Sequence, residues 1–441
     1  MVGTARPFRN GRFGTGGPLR AARAGVCSFL ALVLLWSLSG YGHSQTVLRP
    51  REFRLAVIQN LTGVAAPHDE AAVNAAQLLV ERINREGGLR GVPIKLIIRN
   101  EDGPVDAKVA EFRELVLDEK VNAVVGMTSS SKCLAVAPVA EELRVLYVSA
   151  ICANHRLSEE RKYRYVFRTS SHAAMENVAA ARYVLRVKPD VKTVAGINYD
   201  YAYGRDSWEV FVGALKKLKP DVQVVGEIWV RFLETEYSAP ITQLLALGAD
   251  VVHTVNWGAG LTAFIEQATV RRLIGGRSLF VMTTGLMEQA QRLPPGVLFS
   301  GRGYYLQHPD PRRYRPNREF IVAYRARFGK LPDYTGYYMA QAILGVKAAV
   351  ERAVDRKKGQ WPSTEEIARA FEDLRFETPR GEVWVRPDHE AEHEAVWGFT
   401  SGRVDREFGF PVLERLIVFK PREVFPPLGR RTMDWVREDL K

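Results

Sequence analysis

The stretch Phe53-Arg-Leu-Ala-Val-Ile-Gln59 decides the fold, because this short apolar and β-branched run is followed by a longer segment with helical periodicity. Apolar residues recur through residues 70–86 as they do on one face of a helix, and Gly87-Gly88 ends that segment. Residues 92–99 then predict a second strand, and residues 106–118 predict a second helix. Regular alternation of strands and helices predicts a parallel sheet covered by helices on both faces.

The same alternation continues downstream. Further runs have the length and composition of strands, namely residues 122–126, 145–150, 191–197, 222–229, 250–255 and 279–283. A single sheet with all of these crossovers would be unusually large for one core, so we predict an α/β fold of two doubly wound parallel-sheet lobes. Near the end, residues 382–386 and 395–399 predict the two arms of an antiparallel hairpin, and residues 410–419 predict a last strand.

The composition is typical of globular proteins. Of the 441 residues, 46% are hydrophobic and 25% are charged, which excludes a polytopic membrane protein, a coiled coil and a mainly disordered chain. Lys and Arg number 62 against 50 Asp and Glu, but residues 1–45 contain five of the arginines and no acid. The remaining positive excess is mild and forms no long basic run, so we expect no nucleic-acid partner.

The N-terminus predicts an export signal. An arginine-bearing stretch precedes the apolar run Phe29-Leu-Ala-Leu-Val-Leu-Leu-Trp36, and small and polar residues follow as far as Ser44, where we expect cleavage. The alternative is an uncleaved anchor, although residues 24–40 are fewer than the ~20 apolar residues that span a bilayer. Cleavage leaves Cys133 and Cys152, which can form one disulfide in an oxidising compartment or remain as two buried free thiols.

One segment, His389-Glu-Ala-Glu-His393, matches a zinc-hydrolase motif literally. In such enzymes both histidines face one side of a helix and bind zinc, and the glutamate activates water. Pro387 precedes the segment and strand-like arms flank it, so we expect a solvated turn in which His389 and His393 need not converge. A zinc hydrolase that uses these two histidines and Glu390 is therefore a minor alternative, and we expect no enzyme activity, no metal and no cofactor.

The segment Gly126-Met-Thr-Ser-Ser-Ser131 lies between a predicted strand and a predicted helix. Open α/β sheets bind ligands at such junctions. Free backbone N–H groups, the helix dipole and the hydroxyl groups form a natural cradle for a carboxylate or a phosphate. Serines 129–131 are explained equally well as a helix N-cap.

A set of motifs occurs in a specific order and spacing from residue 53 to about residue 425. The motifs are Val57-Ile-Gln-Asn-Leu-Thr-Gly63, Ile83-Asn-Arg-Glu-Gly-Gly-Leu-Arg-Gly91, Glu101-Asp102, Gly126-Met-Thr-Ser-Ser-Ser131, Tyr165-Val-Phe-Arg-Thr169, Asp200-Tyr-Ala-Tyr-Gly204 and Phe408-Gly-Phe-Pro-Val-Leu413. In this order the chain resembles the branched-chain amino-acid-binding members of the bacterial periplasmic solute-binding proteins. These proteins are the receptor components of ATP-driven importers, and the predicted export signal agrees with such a role.

The resemblance implies a periplasmic binding protein-like fold of type I, with two lobes joined by three crossover strands and a ligand between them. Residues 1–44 would be the signal peptide, 45–172 and 303–393 lobe one, and 173–302 and 394–441 lobe two. The lobes would close on a small-molecule ligand by a hinge motion. The expected partner is an inner-membrane permease of the ATP-binding-cassette type, and we expect a periplasmic monomer.

Pocket positions follow from the resemblance residue by residue. Ser130 matches the serine that holds the ligand carboxylate together with backbone amides. Ile151 and Ala153 match a loop that supplies main-chain and hydroxyl contacts, although Ala153 stands where the family has a threonine. Tyr203 matches a tyrosine that closes over the ligand, and Trp257 falls where another aromatic residue covers it.

Three further positions bear on the ligand. His68 stands near an aromatic position of the first helix, and Tyr334 is expected to reach the cleft. Thr284 stands where amino-acid-binding members have the acid that holds the ligand ammonium, so an apolar or aromatic carboxylate or a neutral amide fits as well as an amino acid. The predicted function is a non-enzymatic solute-binding receptor of an importer; the alternative on the same fold is a ligand-sensing regulatory protein.

Overall fold

The structure is a computed structural model that describes residues 48–441, so the predicted signal peptide lies outside the described residues. The strands are β1 (Phe53–Gln59), β2 (Ile94–Asn100), β3 (Ala123–Gly126), β4 (Leu146–Ser149), β5 (Val166–Arg168), β6 (Thr193–Tyr199), β7 (Gln223–Val230), β8 (Val251–Thr254), β9 (Leu279–Met282), β10 (Leu298–Phe299), β11 (Leu374–Thr378), β12 (Gly381–Val385), β13 (Ala391–Glu392), β14 (Ala395–Val404) and β15 (Pro411–Phe419). Within this part of the chain, none of the helices combines the length and the apolar character that a membrane crossing requires.

The helices of the described residues lie between and after these strands. They are α1 (Ala66–Arg85), α2 (Val105–Leu117), α3 (Ser130–Leu143), α4 (Arg156–Glu159), α5 (Ala173–Val187), α6 (Ala202–Leu218), α7 (Ser238–Leu247), α8 (Gly258–Val270), α9 (Met287–Arg292), α10 (Arg315–Phe328), α11 (Tyr334–Arg356), α12 (Thr364–Phe371), α13 (Pro421–Val424) and α14 (Thr432–Asp434), with a last π-helical turn at Trp435–Asp439. The predicted alternation of strands and helices is therefore confirmed.

Five strands form the first sheet in the order β2-β1-β3-β4-β5, and all neighbouring strands are parallel. Successive residues of β1 point to opposite faces of this sheet. Leu55 and Val57 join an apolar core with α1 and α11, whereas Ala56 and Ile58 join a second core with α2 and α3. The sheet is thus buried on both faces, which is why its strands read as continuous apolar runs.

Seven strands form the second sheet in the order β15-β14-β10-β9-β8-β6-β7. Strands β6 to β10 are parallel, whereas β14 runs antiparallel to both β10 and β15. In β8, Val252 and Val251 belong to cores on opposite faces, so helices cover this sheet on both sides as well. The second lobe is therefore doubly wound, with an antiparallel pair added at one edge.

The two sheets are the centres of two lobes. The chain passes to the second sheet after β5, returns after β10 to pack α11 on α1, and enters the second sheet again at β14. These three crossings are those expected of a three-strand hinge. The residue bounds of the lobes, at 172/173, 302/303 and 393/394, remain a prediction.

The predicted hairpin between residues 382–386 and 395–399 is wrong. Strand β12 pairs with β11 and β13 in a small antiparallel sheet, whereas β14 belongs to the second sheet. Only two residues lie between the end of β11 and the start of β12, which makes β11 the local hairpin partner. The apolar alternation of the two segments identified each as a strand but carried no information on its partner.

Candidate functional site

A narrow cleft lies where the carboxyl ends of the parallel strands in both sheets meet the segments that follow them. The segments after β3 and β4, with Ser130 at the start of α3, line it from the first lobe. The segments after β6, β8, β9 and β10, with Tyr203 in α6 and Arg302 after β10, line it from the second. Helices α1 and α11 add one residue each. The cavity measures about 10 Å³ and lies at the position where open α/β sheets bind ligands.

Every residue predicted for the binding site lines this one cleft. The predicted residues are His68, Ser130, Ile151, Ala153, Tyr203, Trp257, Thr284 and Tyr334. The lining also includes Thr128, Tyr201 and Arg302, which were not predicted individually. The fold therefore brings these distant residues together, and their roles toward a ligand remain predictions.

Aromatic side chains close the cleft from both lobes. The ring centroids of His68 and Trp257 lie 4.7 Å apart, and the Tyr334 hydroxyl lies 2.7 Å from His68 Nε2. Trp257 Nε1 donates to the Tyr201 hydroxyl over 2.7 Å. Burial and the nearby Arg302 cation lower the pKa of His68 to about 3, so its imidazole is neutral at physiological pH. This wall of the cleft is aromatic and uncharged.

A buried ion pair stands at the cleft. It joins Arg302, which is in the cleft lining, to Glu176, which is in the first turn of α5. Arg302 Nε donates to Glu176 Oε1 over 2.6 Å, and both side chains are only 4% exposed. The guanidinium also donates to the carbonyl oxygens of Ile151 and Ser171, over 2.6 and 2.9 Å. The Tyr203 hydroxyl donates to Glu176 Oε2 over 2.8 Å, so both carboxylate oxygens are occupied.

Among the described residues, Arg302 is the one ionised side chain in the cleft lining, and Glu176 behind the lining balances its charge. Burial alone would lower the pKa of Arg302, but the Glu176 carboxylate holds it well above its ordinary value. A guanidinium has five N–H donors. Three of them donate to the protein, and the other two make no hydrogen bond to the described residues. No sequence pattern singled out Arg302, because it stands between two glycines in a short loop.

Thr284 stands where the resemblance places the acid that holds a ligand ammonium. The side chain is buried in the cleft lining, and its hydroxyl donates to the carbonyl oxygen of Asn256. Glu176, the acid behind the lining, is taken by Arg302 and does not replace the missing carboxylate. The cleft therefore has no free carboxylate at this position.

The predicted cradle at Gly126-Met-Thr-Ser-Ser-Ser131 is partly filled by the protein itself. The Glu101 carboxylate accepts from the backbone N–H groups of Thr128 and Ser129, each over 2.8 Å, so these donors are not free for a ligand. The Ser129 side chain makes no capping hydrogen bond to α3, so it does not act as a side-chain N-cap. Thr128 and Ser130 are the residues of this segment that line the cleft.

A second buried carboxylate lies beside Glu101. Asp69 accepts from the backbone N–H of Asn60 over 3.0 Å, from its side-chain amide over 2.6 Å, and from the Thr128 hydroxyl over 2.9 Å. Burial, and after it the charge of Glu101, raises the pKa of Asp69 to about 7. Between these two pKa values, Asp69 is protonated in the folded protein, whereas in the unfolded chain, with its ordinary pKa of 3.8, it is ionised.

We expect the free energy of unfolding to fall as the pH rises from about 4 to about 7, because a carboxyl with a raised folded-state pKa favours the folded state only while it is protonated. The contribution of Asp69 is on the order of 4 kcal/mol, and Asp69→Asn should remove most of it. Urea unfolding at several pH values between about 4 and 7 measures how steeply the free energy of unfolding falls with pH. Asp106→Asn, at an exposed position, is the control; an unchanged slope in Asp69→Asn would contradict the assignment.

Cys133 and Cys152 form a disulfide in the structure, which was one of the two alternatives for these cysteines. The bond joins the first turn of α3, which carries Ser130, to the loop after β4, which carries Ile151 and Ala153. It therefore links two segments of the first lobe that line the cleft.

The segment His389-Glu-Ala-Glu-His393 lies in a turn and in the short strand β13, not in a helix. The His389 ring stacks on Phe167, with 4.0 Å between the ring centroids. The expectation of a solvated segment was wrong, because Glu390 and His393 are buried and Glu390 pairs with Arg168. Among the residues that the structure describes, no cluster of three or more metal-ligating side chains occurs.

The sequence matches known proteins over most of its length. A family model described as periplasmic binding protein matches residues 52–399. Leu/Ile/Val-binding protein homolog 3 from Brucella melitensis is 26% identical over 326 residues, which cover 73% of this chain and 83% of that protein. Leu/Ile/Val-binding protein BraC3 from Rhizobium johnstonii is 28% identical over 332 residues, which cover 73% of this chain and 84% of that protein.

Solved structures share the two-lobed fold. A solute-binding protein of an ABC transporter from Rhodopseudomonas palustris, in complex with 3,4-dihydroxybenzoic acid, has a TM-score of 0.73 at 18% identity and covers 84% of this chain and 98% of its own. Another from R. palustris, in complex with benzoate, has a TM-score of 0.70 at 17% identity, with 83% and 96% covered. At these identities the likeness shows the fold.

Proposed function

The chain belongs to the periplasmic binding protein family and is a solute-binding receptor of an ATP-binding-cassette importer, and we propose that its solute is a small organic carboxylate without an ammonium group. Family membership implies a periplasmic location. The partner of the closed receptor is then the inner-membrane permease, to which it delivers the solute.

The charge of the cleft lining carries this proposal. Arg302 places N–H donors in the lining, Thr284 stands in place of an acid, and Glu176 is already paired with Arg302. The ammonium group of an amino acid would lose its hydration in this cleft and find no free carboxylate in the lining, which is unfavourable by several kcal/mol at roughly full burial. A carboxylate instead gains the remaining N–H donors of Arg302 and the Ser130 hydroxyl.

The aromatic wall supports a ligand with a ring. His68 is neutral, and with Trp257 and Tyr334 it offers ring faces and edges to a planar apolar group. Two solved relatives of the same fold were crystallised with benzoic acids. An aromatic carboxylate therefore matches both the charge and the shape of this cleft.

Solute entry requires the lobes to separate. The cleft measures about 10 Å³, whereas small-molecule sites usually measure ~300–1,000 Å³. The contact between His68 on α1 and Trp257 before α8 joins the two lobes, so it breaks when they open. Hinge closure around a ligand is documented for periplasmic binding proteins as a family.

Thermal unfolding of the purified protein with benzoate, 4-hydroxybenzoate or leucine tests the proposal. A ligand at a hundred times its Kd adds ~2.7 kcal/mol to the free energy of unfolding, which raises the melting temperature visibly. We expect the benzoates to raise it and leucine not to do so at the same concentration. Ser130→Ala should reduce the benzoate shift. A larger shift with leucine than with either benzoate would contradict the proposal.

A further inference from the structure

A second cavity, of about 620 Å³, lies apart from the cleft and shares none of its lining residues. Three segments form it: residues 157–172 around α4 and β5, the turn at 386–390, and residues 425–431 near the C-terminus. We call this cavity the lateral groove. Its volume falls within the ~300–1,000 Å³ of small-molecule sites, and solute capture in the cleft makes no use of it.

The base of the lateral groove is apolar and aromatic. The Phe167 ring stacks on His389 with 4.0 Å between centroids, and the Phe425 ring lies 4.6 Å from that of His172. Leu428 is 57% exposed in the groove lining. The rings of Phe167, His172 and Phe425 are only 1–3% exposed, so a ligand with an apolar body would cover mainly Leu428 and remove its surface from water.

The carboxylates that line the groove are already engaged by protein groups. Glu159 accepts from the Thr432 backbone N–H over 3.0 Å, and Glu160 lies 3.4 Å from Arg156. Asp388 accepts from Arg386 over 3.1 Å, and Glu390 lies 3.3 Å from Arg168. A cationic ligand would have to displace one of these partners. The acids of the groove therefore do not favour a cation.

The cations of the groove favour an anion. Six cationic and four acidic side chains line it, and Arg161, Lys162 and Arg431 are exposed. Arg168 is fully buried, yet its Nη1 has no hydrogen-bond partner among the described residues. Glu390 Oε2, which lies 3.3 Å from Arg168 Nε, also lacks a hydrogen-bond partner among the described residues, so these two groups balance each other. The exposed Arg161, Lys162 and Arg431 are the cations that an anion in the groove would meet.

We propose that the lateral groove is a second ligand site, which binds an organic anion with an apolar body. The exposed arginines and lysine meet the anionic group, and Leu428, beside the buried rings, takes the apolar part. The site shares no lining residue with the solute cleft.

Titration with anilinonaphthalene sulfonate, an aromatic anion whose fluorescence rises in apolar surroundings, tests the proposal. The groove variant Leu428→Asp/Arg431→Glu changes two exposed side chains, and Val270→Asp/Arg277→Glu makes the same change of charge at exposed positions outside the groove. We expect saturable binding of one equivalent of probe to the unchanged protein. The groove variant should lose roughly tenfold in affinity, and the matched variant should lose none.

The cleft variant Arg302→Met/Glu176→Gln separates the two cavities, and it should bind the probe as the unchanged protein does. Hydrogen exchange followed by mass spectrometry then locates the probe, with protection expected in residues 157–163 and 425–431. Equal affinities in the groove variant and its matched control would overturn the proposal. Loss of binding in the cleft variant, or protection confined to the cleft, would overturn it as well.

Discussion

Replacing Arg302 by methionine is expected to lower the free energy of unfolding by about 3 to 5 kcal/mol, because Glu176 would stay buried without its cationic partner. The carboxylate would keep the hydroxyl donors of Tyr203 and Ser171, but it would lose the charge that balances it. Urea unfolding, followed by tryptophan fluorescence, measures the loss.

Two variants make this result interpretable. Arg302→Met/Glu176→Gln removes both charges and should recover most of the lost stability, because a buried pair is replaced by neutral side chains. Arg292→Met removes an arginine whose partners Glu266 and Glu288 are exposed, so it should cost less than about 1 kcal/mol. Equal losses in Arg302→Met and Arg292→Met would show that the cleft pair is not a buried, balanced ion pair.

The double variant Arg302→Met/Glu176→Gln is expected to stay folded and to bind benzoate roughly ten- to a hundredfold more weakly than the unchanged protein. The reason is that a hydrogen bond to a charged group contributes about 1.5 to 3 kcal/mol, and this variant removes the guanidinium, two of whose N–H groups make no hydrogen bond to the described residues. Isothermal titration calorimetry gives the affinity directly.

Benzamide is the control ligand for this prediction, because it keeps the ring and loses the charge. The unchanged protein should prefer benzoate to benzamide, and the double variant should lose that preference. A folded double variant that keeps its full preference for benzoate would show that another group, such as the Ser130 hydroxyl with nearby amides, binds the carboxylate without Arg302.

The fold could be predicted because its signals are local. Strand β1 carries apolar side chains on both faces, as Leu55 and Ala56 show, so each parallel strand appears in the sequence as a continuous apolar run between helical segments. The pairing of β12 with β11 could not be predicted in the same way. A strand pattern states that a segment is extended, and only the packed structure selects its neighbour.

The cleft could be predicted in part for a related reason. The ends of parallel strands converge at one edge of a sheet, so residues that follow these ends, such as Ser130 and Trp257, fall together. The pair of Arg302 and Glu176 joins positions 126 residues apart, and no local pattern connects them. The hydrogen bond from the Thr128 backbone N–H to Glu101 was not predicted for the same reason, since Glu101 follows the end of β2 and Thr128 follows the end of β3.

The comparison of phenylpropanoate with phenylalanine tests the central claim most directly, because the two compounds differ only in the ammonium group. Isothermal titration calorimetry of the purified protein with each compound gives both affinities under one set of conditions. With Arg302 in the cleft and no free acid beside Thr284, phenylpropanoate should bind at least roughly tenfold more tightly. Tighter binding of phenylalanine would contradict the claim that the solute is a carboxylate without an ammonium group.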